Sequence, residues 1–336
     1  PHNSYGAFDF VMANPPFNVD DVSYDKVKDD RRFNEYGIPK NKTKSKNKNS
    51  ETVPNANYLW INQFATALND TGRAALVMAS IATDAGKSEA EIRARLVEDG
   101  IVGAMLSLPS NMFYSVTLPA TLWFFDKARR DDKRVLFINA RNTYRQIDRA
   151  HREFTDEHIA NLVCIRHLYQ GNEVQWHLLM AHYDMRISEL ITKYEDIVEE
   201  NNSINAEAED FLIKNPNKNL TQDLKKRLAV SNSKIEEAKV ELDYMVSMRQ
   251  WLIDNFPDGK YRDVIGLCKA ATIEEIREQD YSLNPGRYVG VSFDIEDKND
   301  FKEAMKTLSE ELIELNGRSQ KLMKSIIHNL TNSLGI

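Results

Sequence analysis

The decapeptide Phe8-Asp9-Phe10-Val11-Met12-Ala13-Asn14-Pro15-Pro16-Phe17 decides the fold. Phe8, Phe10 and Val11 favour a strand. Two consecutive prolines then stop it, because neither has an N–H for a ladder and neither fits a helix interior. Asn14 and Pro15 each precede a proline and are pushed towards extended dihedrals. The carbonyls therefore lie in a stiff, non-helical segment at a strand end, which is where open α/β sheets bind ligands.

Such a strand end suits chemistry on a planar amine. The lone pair of an exocyclic amine on a nucleobase is delocalised into the ring, so the nitrogen is a poor nucleophile. Two fixed acceptors for its two N–H groups, the Asn14 side-chain oxygen and the Pro15 carbonyl, would free that lone pair in the transition state. Phe17 is placed to stack on an extruded base. Phe113, in the loop Pro109 to Pro119 with Asn111, could supply a second ring, stacking being worth about 1–3 kcal/mol per base. A core position behind the sheet is the competing reading of Phe113.

Residues 57–68 have helical spacing, with Leu59, Trp60, Phe64, Ala67 and Leu68 on one face and a stop at Asp70-Thr71-Gly72. Strands are expected over 73–79, 101–108, 120–125 and 134–139. A helix between the first two begins at Ser88, with Glu91 completing a capping box. Thr155 caps a further helix whose inner face is Ile159, Leu162 and Val163. The pattern predicts an α/β fold with a mostly parallel sheet and antiparallel strands at its end, the second half of a Rossmann-like sheet.

From about 184 the chain turns helical. Ile187, Leu190, Ile191, Tyr194, Ile197 and Val198 form one stripe, and Asn201-Asn202 a polar break. Leu224, Leu228, Ile235, Ala238, Leu242 and Met245 form a coiled-coil-like seam interrupted by Ser231. The expectation is an antiparallel hairpin of 184–200 on 221–256. Residues 281–291 form an extended strap, and 298–330 a last amphipathic helix. Three regions result: 1–165, the C-terminal portion of a catalytic domain; 166–297, helical with the strap; and 298–336, the terminal helix.

The 336 residues carry a net charge of −7, which leaves a nucleic-acid binder in need of a local basic surface. Residues 24–48 hold nine basic and four acidic side chains, with Lys42, Lys44 and Lys46 as candidate phosphate contacts. A solvated loop is the simpler reading of that tract. Cys164 and Cys268 read as buried thiols of a reducing cytoplasm. No spacing suggests a metal site, and no run is long enough for a membrane span. No Gly-x-Gly occurs anywhere, although a nucleotide-type site normally needs one after the first strand. Together with a first residue that is not methionine, this suggests a fragment.

Asn14-Pro-Pro-Phe-Asn18, Tyr36-Gly-Ile-Pro39, Ala56-Asn-Tyr-Leu-Trp60, Gly72-Arg-Ala-Ala75, Leu108-Pro109 with Phe113-Tyr114, and Leu283-Asn-Pro-Gly-Arg-Tyr288 follow in order. In that order they resemble the modification (M) subunit of type I restriction–modification systems, an adenine-N6 DNA methyltransferase. The resemblance covers most of the chain and is weakest over about 185–260. It implies Asn14, Pro15, Pro16 and Phe17 as catalytic residues and S-adenosyl-L-methionine as methyl donor. Asn14 would lie at the edge of the donor pocket, whose main motif the family places before this strand; the chain alone is expected to be inactive. The implied partners are DNA, a specificity (S) subunit, a second M subunit and a restriction (R) subunit in a prokaryotic cytoplasm, with no membrane. The alternatives are an amino-methyltransferase acting on RNA or a protein amide, and a non-catalytic assembly module.

Overall fold

The alternation of strand-forming and helix-forming segments builds one six-stranded sheet. The computed structural model describes residues 4–20, 22–40, 52–53, 55–113, 118–129, 133–149 and 151–291; the expected helix over 298–330 lies outside them. The strands are β1 (Phe8–Ala13), β2 (Leu68–Ala79), β3 (Val102–Ser107), β4 (Ala120–Asp126), β5 (Arg134–Asn139) and β6 (Cys268–Thr272), in the order β1-β2-β4-β3-β5-β6. β1 and β2 pair in parallel, as do β3 and β5, whereas β4 is antiparallel to both its neighbours and β6 to β5. Four strands thus point one way, but one of the two reversed strands is interior, not terminal as the sequence pattern suggested. A parallel β2–β3 contact is replaced by a hairpin-like return of β4 between them. Their four C-terminal ends, and the start of β4, share one edge.

Period-two alternation gives the sheet two apolar faces. On one, Leu76, Met78, Met105, Trp123, Phe125 and Phe137 meet helices α1 (Asn57–Ala67) and α2 (Ser88–Glu98). On the other, Ala104, Leu106, Leu136 and Ile138 meet α3 (Asp156–Tyr169), α4 (Val174–Lys214) and α5 (Gln222–Asn255). Helix α1 is buried on two sides: Tyr58, Ile61 and Ala65 face the sheet, while Leu59 joins Val27, Phe33, Ile38 and Val53 in a small satellite core. It ends at Ala67 and runs directly into β2. The expected stop at Asp70-Thr71-Gly72 is instead a bulge, where the register jumps from Phe8–Leu68 to Phe10–Arg73. Gly72 is needed there, since a Cβ would lie 2.8 Å from the Phe8 carbonyl oxygen.

Two expected caps divide. The Thr155 hydroxyl accepts from the His158 amide, as a cap should. Ser88 does not cap α2: its hydroxyl is drawn 48 residues back, accepting from the Lys40 amide at 2.9 Å and donating to the Lys40 carbonyl at 3.0 Å. Helix α3 also turns differently from its pattern, burying His158, Asn161, Leu162, Cys164, Ile165 and Leu168 and leaving Ile159 and Val163 exposed.

Helices α4 and α5 form the expected antiparallel hairpin, but α4 runs unbroken through Asn201. In α5 every seventh residue is buried: Leu224, Ser231, Ala238, Met245 and Leu252. Asn201 is buried opposite Ser231 and donates to its hydroxyl at 3.0 Å. Ion pairs Asp184–Arg249, Lys193–Glu241 and Glu207–Arg227 flank the seam. At its base Tyr183 donates to the Asn161 side chain, which donates to the Met248 carbonyl, tying α3, α4 and α5 together.

The strap returns to the sheet as a turn at Pro285–Arg287, with Tyr288 stacked on Phe137 at 3.9 Å. Asp84, just past β2, is its anchor: Asn284 donates to it at 2.9 Å, Arg287 pairs with it at 3.1 Å, and Ser282 also donates. Burial pushes the Asp84 carboxyl up, but these hydrogen bonds and the Arg287 charge outweigh it, holding the pKa below the ordinary range. Behind the turn, Arg93 of α2 is only 2% exposed. It donates to the carbonyls of Tyr281 and Ala85 and to the Tyr58 hydroxyl.

Replacing Arg93 by Met strands three buried acceptors, so thermal or urea unfolding should show a loss of about 3 kcal/mol. Asp84 contributes stability above its unfolded-state pKa, and this is lost as pH falls through the lower folded value. The Tm deficit of Asp84→Asn relative to the unsubstituted chain should therefore be largest near pH 7 and close progressively below about pH 4; a deficit constant down to pH 2.5 contradicts the anchoring role.

Candidate active site

β1 ends where its sequence demands, and Asn14 is the first residue beyond the ladder. Asn14 and Pro16 are exposed, Pro15 is buried and Phe17 half-buried. Among the described residues, nothing hydrogen-bonds to the Asn14 side chain or to the Pro15 carbonyl. Both acceptors sit free at the C-terminal edge of the sheet. The alternation of β1 explains the exposure: Val11 and Ala13 pack on the α1–α2 side, while Phe10 and Met12, 90% exposed in the latter case, point to the other face.

The turn after the prolines is fixed by Asn18, whose part in it no local pattern reveals. Asn18 adopts a left-handed conformation (φ 54°), a geometry that asparagine tolerates better than most side chains. Its amide donates to the Asn57 side-chain oxygen at 2.9 Å, and Asn57 donates back to the Asn18 side-chain oxygen at 2.8 Å. Asn57 is 2% exposed and opens α1. A further bond from the Ala56 amide to the Val19 carbonyl closes the junction. The signal was present as Ala56-Asn-Tyr-Leu-Trp60, but its contact lies 39 residues away and no local pattern reveals it.

Phe17 and Phe113 are both half-buried against the core on the α3–α5 side. The structure therefore brings the two expected rings to the same face of the sheet, at the ends of β1 and of the loop after β3. Asn111, two residues before Phe113, is also left-handed (φ 61°). Arg152 holds this loop, its amide donating to the Asn111 carbonyl at 3.1 Å and its guanidinium to the Ser110 hydroxyl at 2.9 Å. Lys42, Lys44 and Lys46 lie outside the described residues. Polar side chains floor the same edge: the Ser80 and Thr121 hydroxyls are 2.9 Å apart, with Ser107 paired in register beside Thr121.

The two thiols take no part. Burial pushes Cys164 up to about 11 and Cys268 up to about 12, far from the thiolate range. No helix of the described residues is long and apolar enough to cross a membrane.

The family described as N-6 DNA Methylase matches residues 1–206 and 197–298. The chain is 29% identical over 332 residues to the type I restriction enzyme MjaIX methylase subunit of Methanocaldococcus jannaschii, covering 98% of this chain and 42% of that protein. It is 25% identical over 323 residues to the type I restriction enzyme HindI methylase subunit of Haemophilus influenzae, covering 96% and 51%. Among solved structures it is similar to a type I restriction–modification methyltransferase subunit from Streptococcus thermophilus, with 19% identity, a TM-score of 0.48, and 85% of this chain and 39% of that one covered. The chain thus spans about half the length, or less, of the curated relatives it matches. With the strand-end motif and the matched residues in agreement, the chain belongs to the N-6 DNA methylase family.

Proposed function

We propose that this chain carries the target-amine side of an S-adenosyl-L-methionine-dependent adenine-N6 DNA methyltransferase, as part of the modification subunit of a type I restriction–modification system. The observation that carries it is the pair of free acceptors, the Asn14 amide oxygen and the Pro15 carbonyl, fixed at the end of β1. The family match and the type I methylase subunits among the relatives support the substrate.

The amine of an extruded adenine would give one N–H to Asn14 and the other to Pro15. Both acceptors are set before the base arrives, so they meet the growing positive charge without reorganisation. Phe17 stacks on the base and Phe113 faces it across the site. S-Adenosyl-L-methionine, when bound, supplies an electrophilic methyl group. Asn14 would stand at the edge of the pocket that holds it. No Gly-x-Gly turn occurs in the sequence. Asn57 keeps the acceptors aimed by holding Asn18 through two reciprocal bonds. In this reading the partners are duplex DNA, a specificity subunit that reads the sequence, a second modification subunit and a restriction subunit, in a prokaryotic cytoplasm.

In the assembled methyltransferase, Asn14→Ala should lower kcat by about 10²–10³-fold, the usual effect of deleting one preorganised transition-state partner, while DNA affinity is retained. A gel-shift and methyl-transfer assay in parallel check this, and near-normal turnover would remove Asn14 from its role. Asn57→Asp keeps an acceptor for the Asn18 amide but loses the return donor. It should cut kcat about tenfold or more by displacing the turn, with KM for DNA unchanged; a lower Tm with unaltered kcat would make Asn57 a packing residue only.

A further inference from the structure

Resting on the reading of the chain as a DNA methyltransferase, we propose that the short basic hairpin after β5 is a duplex-DNA contact, a β-ribbon that lies against phosphates beside the extruded base. Residues 141–153 leave the C-terminal end of β5, on the edge that carries Asn14 and Pro15. Arg145–Gln146 pairs antiparallel with Arg152–Glu153, and the Ile147 amide closes the ribbon on the His151 carbonyl.

Two arginines of the ribbon have different jobs. Arg152 is turned inward: it stacks on Tyr144 at 4.2 Å and grips the loop before Phe113 through Ser110 and Asn111. The ribbon is therefore hydrogen-bonded directly to a loop of the site. Arg145 and Arg149 are turned outward. Arg145 is 61% exposed and forms an ion pair with Glu153 on the opposite strand, its charge still open to solvent. Arg149, at the tip, is exposed and among the described residues has no ionic partner. Between them Ile147 holds an apolar side chain 49% in solvent. A two-stranded ribbon is narrow enough for the major groove. Exposed guanidinium groups flanking one apolar side chain suit a groove wall, where phosphates border sugar and base edges.

The charge of the whole chain sharpens this. At a net −7 the chain offers duplex DNA no overall attraction, so a contact on it rests on local cations. The ribbon supplies such cations within the described residues, on the correct edge, and braced to a loop of the site. The phosphate-binding class of contact it makes is independent of base sequence, leaving sequence recognition to other surfaces.

The test measures DNA affinity of the assembled methyltransferase against salt concentration. Arg149→Gln should flatten the slope of log K on log salt by about 1, and Arg145→Gln with Arg149→Gln by about 2, equally for specific and non-specific duplexes. Arg186→Gln, an exposed arginine on α4 paired with Glu189, serves as the control and should leave the slope unchanged. An unaltered slope in the double variant overturns the proposal, as does an equal loss in the α4 control, which would reduce the effect to overall charge. A wild-type assembly that neither binds nor methylates duplex DNA overturns the underlying reading as well, whereas methylation with an unaltered slope overturns this proposal alone.

Discussion

Two successive residues that cannot donate a hydrogen bond end β1, and the geometry of the candidate site follows from that covalent fact. With no N–H at Pro15 or Pro16, the ladder to β2 stops at Ala13 and cannot slip onward. Among the described residues, nothing donates to the Pro15 carbonyl beyond the end of the ladder. The chain must then turn within three residues, which it does through the left-handed Asn18. That strained turn needs support from outside, and α1 provides it through Asn57, whose buried amide has both of its functions matched by Asn18. An orphaned buried amide costs about 1–3 kcal/mol, so the matching is as important to α1 as it is to the turn.

The second constraint acts over a much longer span. Asp84 lies at the end of β2 and its ligands arrive about two hundred residues later in the strap. Arg93 reinforces the same junction from behind, through the Tyr281 carbonyl. The segment between Thr83 and Ala85 is thus held by α2 on one side and by the strap on the other. This part of the edge is therefore complete only when residues about two hundred apart in sequence have met.

Much of this was legible in the sequence because it depends on local chemistry. β1 with its prolines, helix 57–68, strand 134–139 and the Thr155 cap follow from residue type and period alone. What was hidden depends on partners remote in sequence. Ser88 and Glu91 satisfy a capping-box pattern, yet the serine hydroxyl finds the Lys40 backbone a better partner in three dimensions. Asn201 resembles a helix breaker until Ser231 is set opposite it. β4 cannot be assigned to the interior of the sheet from its own composition, which shows only that both its faces are apolar. The rotation of α3 was misread for a similar reason: Ile159 and Val163 are apolar, but the polar pair His158 and Asn161 has specific partners inside. For the candidate site, the proline-ended strand follows from the sequence, whereas the Asn18–Asn57 contact that supports the turn after it does not.

The Asn201–Ser231 bond sits in an otherwise apolar seam, with matched ion pairs on either side. A single polar pair of this kind excludes every alignment of two helices except one, because a shift by a turn would bury each amide and hydroxyl against aliphatic carbon. The α4–α5 hairpin is therefore a ruler as well as a projection. Beyond the polar pair, matched changes of seven residues in both arms would keep the apolar stripes facing each other without altering the local winding. The reach of this arm from the sheet is thus tied to its register, and a change in length on one arm alone would unseat the polar pair.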